Sequence, residues 1–156
     1  MLNIVKITDY MSEELILLNL KAKNKDEALK ELSALIGKSE KIEKKDVIYK
    51  ALLERENLGS TGIGKGVAIP HAKTDAAESL TIAFGISKEG VDFKSLDQEK
   101  VKIFFVFASP FKDSQIYLKV LARISRLIRD ENFREKLLNC ENAKEVLECI
   151  DKEEAL

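Results

Sequence analysis

The sequence has little of what marks a specialised class of protein: among its 156 residues are two cysteines, two prolines and one histidine. Cys140 and Cys149 both fall in a charged, helix-patterned tail. They read as packing residues rather than as a disulfide framework or a metal site, which points to a reducing cytoplasm. No apolar run approaches the ~20 residues of a membrane span, and the opening M-L-N-I-V-K-I-T lacks the long apolar core of an export signal. Twenty-six basic against twenty-seven acidic residues leave a net charge of −1. That balance gives no electrostatic ground for nucleic acid or an acidic membrane as partner. No Pro/Ser-rich linker or internal repeat divides the chain, and 45% of it is hydrophobic. A single domain over residues 1–156 with a sizeable core is expected.

What is present is an alternation of short apolar runs with helical patterns. Residues 16–20, I-L-L-N-L, are short and apolar enough for a strand. Asn24 and Glu27 have the spacing of a capping box, and Ala28, Leu29, Leu32, Leu35 and Ile36 form one face of the helix they open, before Gly37 stops it. A second helix is predicted over 44–56. The runs 80–86 and 101–107 are rich in β-branched and aromatic residues, as buried central strands are. Gly90 and residues 92–97 read as the turn between them. Pro110 ends the second run, and a long helix over 114–129 carries Ile116, Tyr117, Val120, Leu121, Ile124 and Ile128 along the face that packs on the sheet. Asp130 and Asn142 have the character of N-caps for two shorter helices. The expected class is α/β, a sheet of mixed strand direction covered by helices.

Chemistry concentrates between Arg55 and His71. The segment R-E-N-L-G-S-T-G-I-G-K-G-V-A-I-P-H holds four of the seven glycines, one of the two prolines and the only histidine. Residues 59–65 follow the phosphate-binding loop pattern until Gly66 stands where Ser or Thr would bind magnesium. The order of elements, helix before and strand after, is also reversed, which excludes a nucleotide-binding reading. The glycines let backbone N–H groups approach an anion. Val67, Ala68 and Ile69 lead as a strand into Pro70, with His71 at its end. From the residues alone, His71 is a catalyst or a satisfied structural histidine. Arg55 is a phosphate ligand or a cation favoured at a helix C-terminus. Tyr117 is by ordinary expectation core.

The run from Ser60 to His71, with L-E-R-E before it and V-K-I-F-F-V-F-A-S-P and Y-L-K-V-L-A-R-I-S after it, resembles the fructose/mannitol-type enzyme IIA domains of the bacterial phosphotransferase system, their nitrogen-regulatory branch included. The likeness covers essentially the whole chain. It implies that His71 is the phosphoryl acceptor, on Nε2, and that Arg55 stabilises the phosphoryl group. Backbone donors of Ser60, Thr61, Gly62, Gly64 and Gly66 would suit a cradle for the phosphoryl oxygens. Tyr117 stands where the family has a second histidine, and is expected beside His71. The resemblance also implies a phosphorylated histidine-containing phosphocarrier protein as donor. The recipient is an enzyme IIB cysteine in sugar uptake or, alternatively, the phosphorylation state controls binding to a target protein. No metal or nucleotide cofactor is required. Because donor and acceptor are proteins, a shallow, apolar surface with a polar rim is expected around His71.

Overall fold

A computed structural model describes residues 6–156; the first five residues of the segment read for an export signal lie outside it. Six strands form one mixed sheet: β1 (Ile16–Leu17), β2 (Gly62–Gly64), β3 (Val67–Ala68), β4 (His71–Lys73), β5 (Thr81–Val91) and β6 (Val101–Ser109). Their order is β1-β5-β6-β3-β2, with β4 also paired to β6. The β5–β6 pair is antiparallel, whereas β1 runs parallel to β5, and β3 and β4 run parallel to β6. The helices are α1 (Lys25–Ile36), α2 (Lys45–Asn57), α3 (Ser114–Leu127), α4 (Glu131–Leu138) and α5 (Ala143–Glu154).

Strand alternation on β6 divides the core into two layers. Phe104, Val106 and Ala108 face the cluster that contains Leu29 and Leu32 of α1 and Ile48 and Leu52 of α2. Ile103, Phe105 and Phe107 face Tyr117, Val120 and Ile124 of α3, with Phe133 of α4 and Val146 and Ile150 of α5 beyond them. A strand buried on both sides shows no polar alternation, which is why 101–107 reads as a continuous apolar run. Capping follows the sequence. Asn24 Oδ1 accepts from Glu27 N, Asp130 Oδ1 from Asn132 N, and Asn142 Oδ1 from Glu145 N.

Several boundaries differ from the expectations. The first strand stops at Leu17, although Leu20 N still donates to Ile86 O at 2.9 Å. Gly37 ends α1 with φ −65°, in the right-handed region, so no left-handed cap is used there. Gly90 lies inside β5 beside an irregularity between Ile86 and Val91, and the turn falls later, where Lys94 and Gln98 have positive φ. The second helix runs to Asn57, one residue beyond the expected end, and Leu58 just past it is 85% exposed. His71 does not end the Val67-Ala68 strand but opens β4. Pro70 has no N–H to donate to a ladder, so pairing lapses there, yet its carbonyl still accepts from Phe107 N at 2.9 Å. The register resumes without slip: Val67 faces Ile103 and His71 faces Phe107 at the same offset.

The glycine-rich segment is a hairpin, β2 against β3, turning through Gly64, Lys65 and Gly66, all at positive φ. Gly62 is required for a different reason. A Cβ there would lie 2.2 Å from Ser95 Oγ, which is buried without a hydrogen-bond partner among the described residues. Gly62→Ala is therefore expected to cost about 1–3 kcal/mol by overpacking, read from urea unfolding. Ser95→Gly in the same chain should recover most of the loss by vacating the contact.

Candidate functional site

His71 is the first residue of a strand that pairs only with β6, so the imidazole stands at a sheet edge between α2 and α3. Its Nδ1 lies 2.6 Å from Ile69 O, and its Nε2 lies 3.1 Å from Arg55 Nε. A carbonyl can only accept and a guanidinium can only donate, so the two partners assign the tautomer: the proton is on Nδ1 and the Nε2 lone pair faces Arg55. Burial is the leading cause that moves the His71 pKa below the usual 6.5. The Ile69 hydrogen bond opposes the shift, while the Arg55 and Lys73 charges reinforce it. The imidazole is neutral at neutral pH, with its nucleophilic nitrogen directed at a cation.

Arg55 comes from the last turn of α2, where its Nη1 also donates to Gly59 O at 2.9 Å. That second bond holds the guanidinium over the imidazole. Tyr117 of α3 is 3% exposed and meets His71 edge-on, with ring centroids 6.0 Å apart; Phe107 meets it at the same distance. Burial raises the Tyr117 pKa to about 12, against a smaller opposing effect of Arg55. The phenol therefore stays protonated and contributes no charge.

His71, Arg55 and Tyr117 line an open hollow of about 610 Å³. Its apolar shoulders include Leu58 and Leu118, 85% and 57% exposed, and its polar members include Glu54, Arg55 and Lys73. Single exposed leucines are ordinary, but two flanking one imidazole make an apolar rim around it.

The five loop residues are placed differently from the expected cradle, since none lines the hollow. Thr61 N donates to Glu56 Oε2 at 2.9 Å, and Gly62 N to Ser60 Oγ at 3.1 Å. Gly64 lies beside a separate depression with Ile128 and Arg129, and Gly66 supplies its carbonyl to Lys102 N and Ile103 N. A hairpin must satisfy its own backbone before it can serve a ligand, and here it spends the Thr61 and Gly62 donors on the fold.

Two residues of this site escaped the sequence reading. Glu56 is 5% exposed, pairs with Lys25 Nζ at 2.8 Å, and accepts from both Thr61 N and Thr61 Oγ1. Thr61 O in turn holds Ile69 N at 3.0 Å, and Ile69 O holds His71 Nδ1. The carboxylate thus anchors the segment that orients the imidazole. The signal was available: Glu56 follows Ile48 and Leu52 at successive i+4 positions, on the buried face of α2. Lys73 is the other. It sits two residues beyond His71 on one strand, and alternation puts both side chains on the same face.

Among the described residues no helix is long and apolar enough to cross a membrane, and no group of three His, Cys, Asp or Glu side chains could hold a metal ion. Burial pushes the Cys140 thiol up to about 11 and raises that of Cys149, and both remain free.

The fold is an α/β domain whose mixed sheet presents one neutral, oriented imidazole to a guanidinium at an open, apolar-rimmed edge. The chain belongs to the EIIA 2 family of the phosphoenolpyruvate-dependent sugar phosphotransferase system, whose sequence model matches residues 9–153. It is 36% identical over 147 residues to the fructose-specific EIIABC component of Bacillus subtilis, covering 94% of this chain but only 23% of that longer protein. It is 38% identical over 144 residues to a nitrogen regulatory protein of Bradyrhizobium diazoefficiens, covering 90% of this chain and 91% of the relative. The crystal structure of the nitrogen regulatory protein IIA-Ntr of Neisseria meningitidis superposes with a TM-score of 0.85 at 28% identity, covering 92% of this chain and 98% of that one.

Proposed function

We propose that the chain, acting as one enzyme IIA domain over residues 1–156, is a cytoplasmic phosphoryl carrier. His71 accepts a phosphoryl group from the phosphorylated histidine-containing phosphocarrier protein and passes it to a cysteine of an enzyme IIB component in sugar uptake. The observation that carries this reading is the hydrogen-bonded pair on the imidazole, Nδ1 to Ile69 O and Nε2 to Arg55 Nε. It leaves a neutral ring with its lone pair on the nitrogen facing the hollow. In the transfer the Nε2 lone pair forms the new P–N bond, while the electron pair of the breaking P–N bond stays on the donor nitrogen. The Nδ1 proton remains on His71, bonded to Ile69 O, and no external base is needed. Arg55 then exchanges its bond to Nε2 for bonds to the phosphoryl oxygens, which a planar guanidinium is shaped to bind in pairs.

The regulatory alternative, in which phosphorylation controls binding to a target protein, is favoured by the identity to the Bradyrhizobium protein and by the superposition on the Neisseria structure. One experiment tests both. The purified chain is incubated with 32P-labelled carrier protein and then with enzyme IIB. Onward transfer to the IIB cysteine supports transport. A stable phosphoprotein that passes no label to IIB, and binds a target in only one phosphorylation state, supports regulation. A chain that takes no label overturns both.

Tyr117 gives a smaller effect. The phenol can donate one neutral hydrogen bond to the phosphoryl group on His71, worth about 0.5–1.5 kcal/mol. Tyr117→Phe should therefore slow labelling by about tenfold or less, without lowering the melting temperature. Tyr117→His should speed it, most clearly below neutral pH, where a second imidazole becomes cationic. Equal labelling of all three proteins would return Tyr117 to the core.

A further inference from the structure

We propose that Lys73 is a second cationic ligand of the phosphoryl group on His71, held over the hollow by the face of the Tyr117 ring. This rests on the phosphoryl-carrier reading. Lys73 lies on the same face of β4 as His71, because Ala72 between them packs into the opposite core layer with α1 and α2. Its Nζ is 5.4 Å from the centroid of the Tyr117 ring, and that ring lies 6.0 Å from the ring of His71. Both lysine and histidine line the same hollow with Arg55.

The lysine forms no ion pair among the described residues. An aromatic face attracts a cation without neutralising it, so the ammonium is positioned while its whole charge stays available. That charge is needed. A phosphoryl group on histidine is close to a dianion, and the wall of the hollow also carries the carboxylate of Glu54 beside Arg55 and Lys73. Lys73 adds a full positive charge to those the phosphoryl group meets from Arg55 and from the His71 ring, which keeps its Nδ1 proton. The phenol of Tyr117 cannot supply positive charge, being neutral when protonated, and burial keeps it so with a pKa of about 12. The ring thus supplies the platform and Lys73 the charge. The chemistry of transfer is unchanged: Lys73 donates hydrogen bonds to phosphoryl oxygens and exchanges no proton.

The test compares wild type with Lys73→Met, Lys73→Arg and Lys73→Glu, all at an exposed position where the fold tolerates exchange. Two quantities are read: the equilibrium constant for phosphoryl transfer from the carrier protein, and the 31P titration of the isolated phosphoprotein. Lys73→Met is expected to lower the transfer constant by about three- to tenfold, as befits one screened charge contact. It should also raise the pH midpoint of the phosphoryl titration. Lys73→Glu should do both more strongly, and Lys73→Arg should stay near wild type. The 31P midpoint is measured with the carrier absent, so a lysine that only helped the carrier dock would leave it unmoved. Unchanged midpoints in Lys73→Met and Lys73→Glu, alongside a wild type that labels normally, overturn the role of Lys73 alone. A wild type that takes no label overturns the carrier reading and this inference with it.

Discussion

Replacing His71 by alanine is expected to abolish phosphoryl acceptance, with labelling from the phosphorylated carrier falling to background. The chain has one histidine, and no other side chain in the hollow offers a neutral nitrogen lone pair. Lysines and arginines are protonated, and the Tyr117 phenol is held at about 12. Labelled wild type should give an adduct that is labile to acid and stable to base, as a phosphoramidate is and a phosphoester is not. Undiminished labelling of His71→Ala would place the chemistry elsewhere. The pH profile has a definite sign. Attack requires the neutral ring, and burial lowers the pKa below 6.5. Acceptance should therefore persist on acidification past the point where a free imidazole is half protonated, then fall at a lower pH. Stability follows the same linkage. The folded state resists protonation, so the contribution of His71 is whole above the unfolded pKa of about 6.5 and is lost as pH falls through the folded value. His71→Ala should remove that part of the acid sensitivity, which urea unfolding between pH 5 and 7 would show.

Arg55→Ala should slow transfer roughly ten- to a hundredfold, the rate equivalent of losing a charged hydrogen bond of about 1.5–3 kcal/mol in the transition state. Two consequences oppose each other. Removing the guanidinium frees the Nε2 lone pair and, by taking away a neighbouring cation, lets the His71 pKa rise. It also strips the phosphoryl oxygens of their paired donor. The second effect is larger, because catalysis of phosphoryl transfer is mostly the positioning and electrostatic holding of those oxygens, whereas the bond to Nε2 is given up in any case. Lysine should recover only part of the rate, since it lacks the planar fork and cannot hold Gly59 O and the ring together. The His71 titration, followed by NMR, should move to higher pH in Arg55→Ala. Transfer at the wild-type rate in a folded Arg55→Ala would reduce the residue to a helix-end cation.

Much of the architecture was legible because its signals are local. Asn24, Asp130 and Asn142 are caps by side-chain chemistry, and the α3 face from Tyr117 to Ile124 is set by helical spacing. The runs that became β5 and β6 are apolar over more residues than any edge strand. The short elements were not legible. Two- and three-residue strands carry too little periodicity, and Pro70 splits one line of pairing into β3 and β4 only because β6 supplies a continuous partner on the far side.

At the site, the sequence by itself singled out His71 and Arg55 as candidates, since one histidine follows the glycine-rich segment and an arginine precedes it by sixteen positions, and the fold brings the two side chains to 3.1 Å. The sequence could not determine what the glycines do. Freedom of backbone suits an anion cradle and a tight hairpin equally, and only the fold showed the Thr61 and Gly62 donors already bonded. Burial of Glu56 and the placement of Lys73 over Tyr117 were likewise decided by tertiary structure. A charge is solvated or enclosed according to which elements close around it, and those elements come from distant parts of the chain.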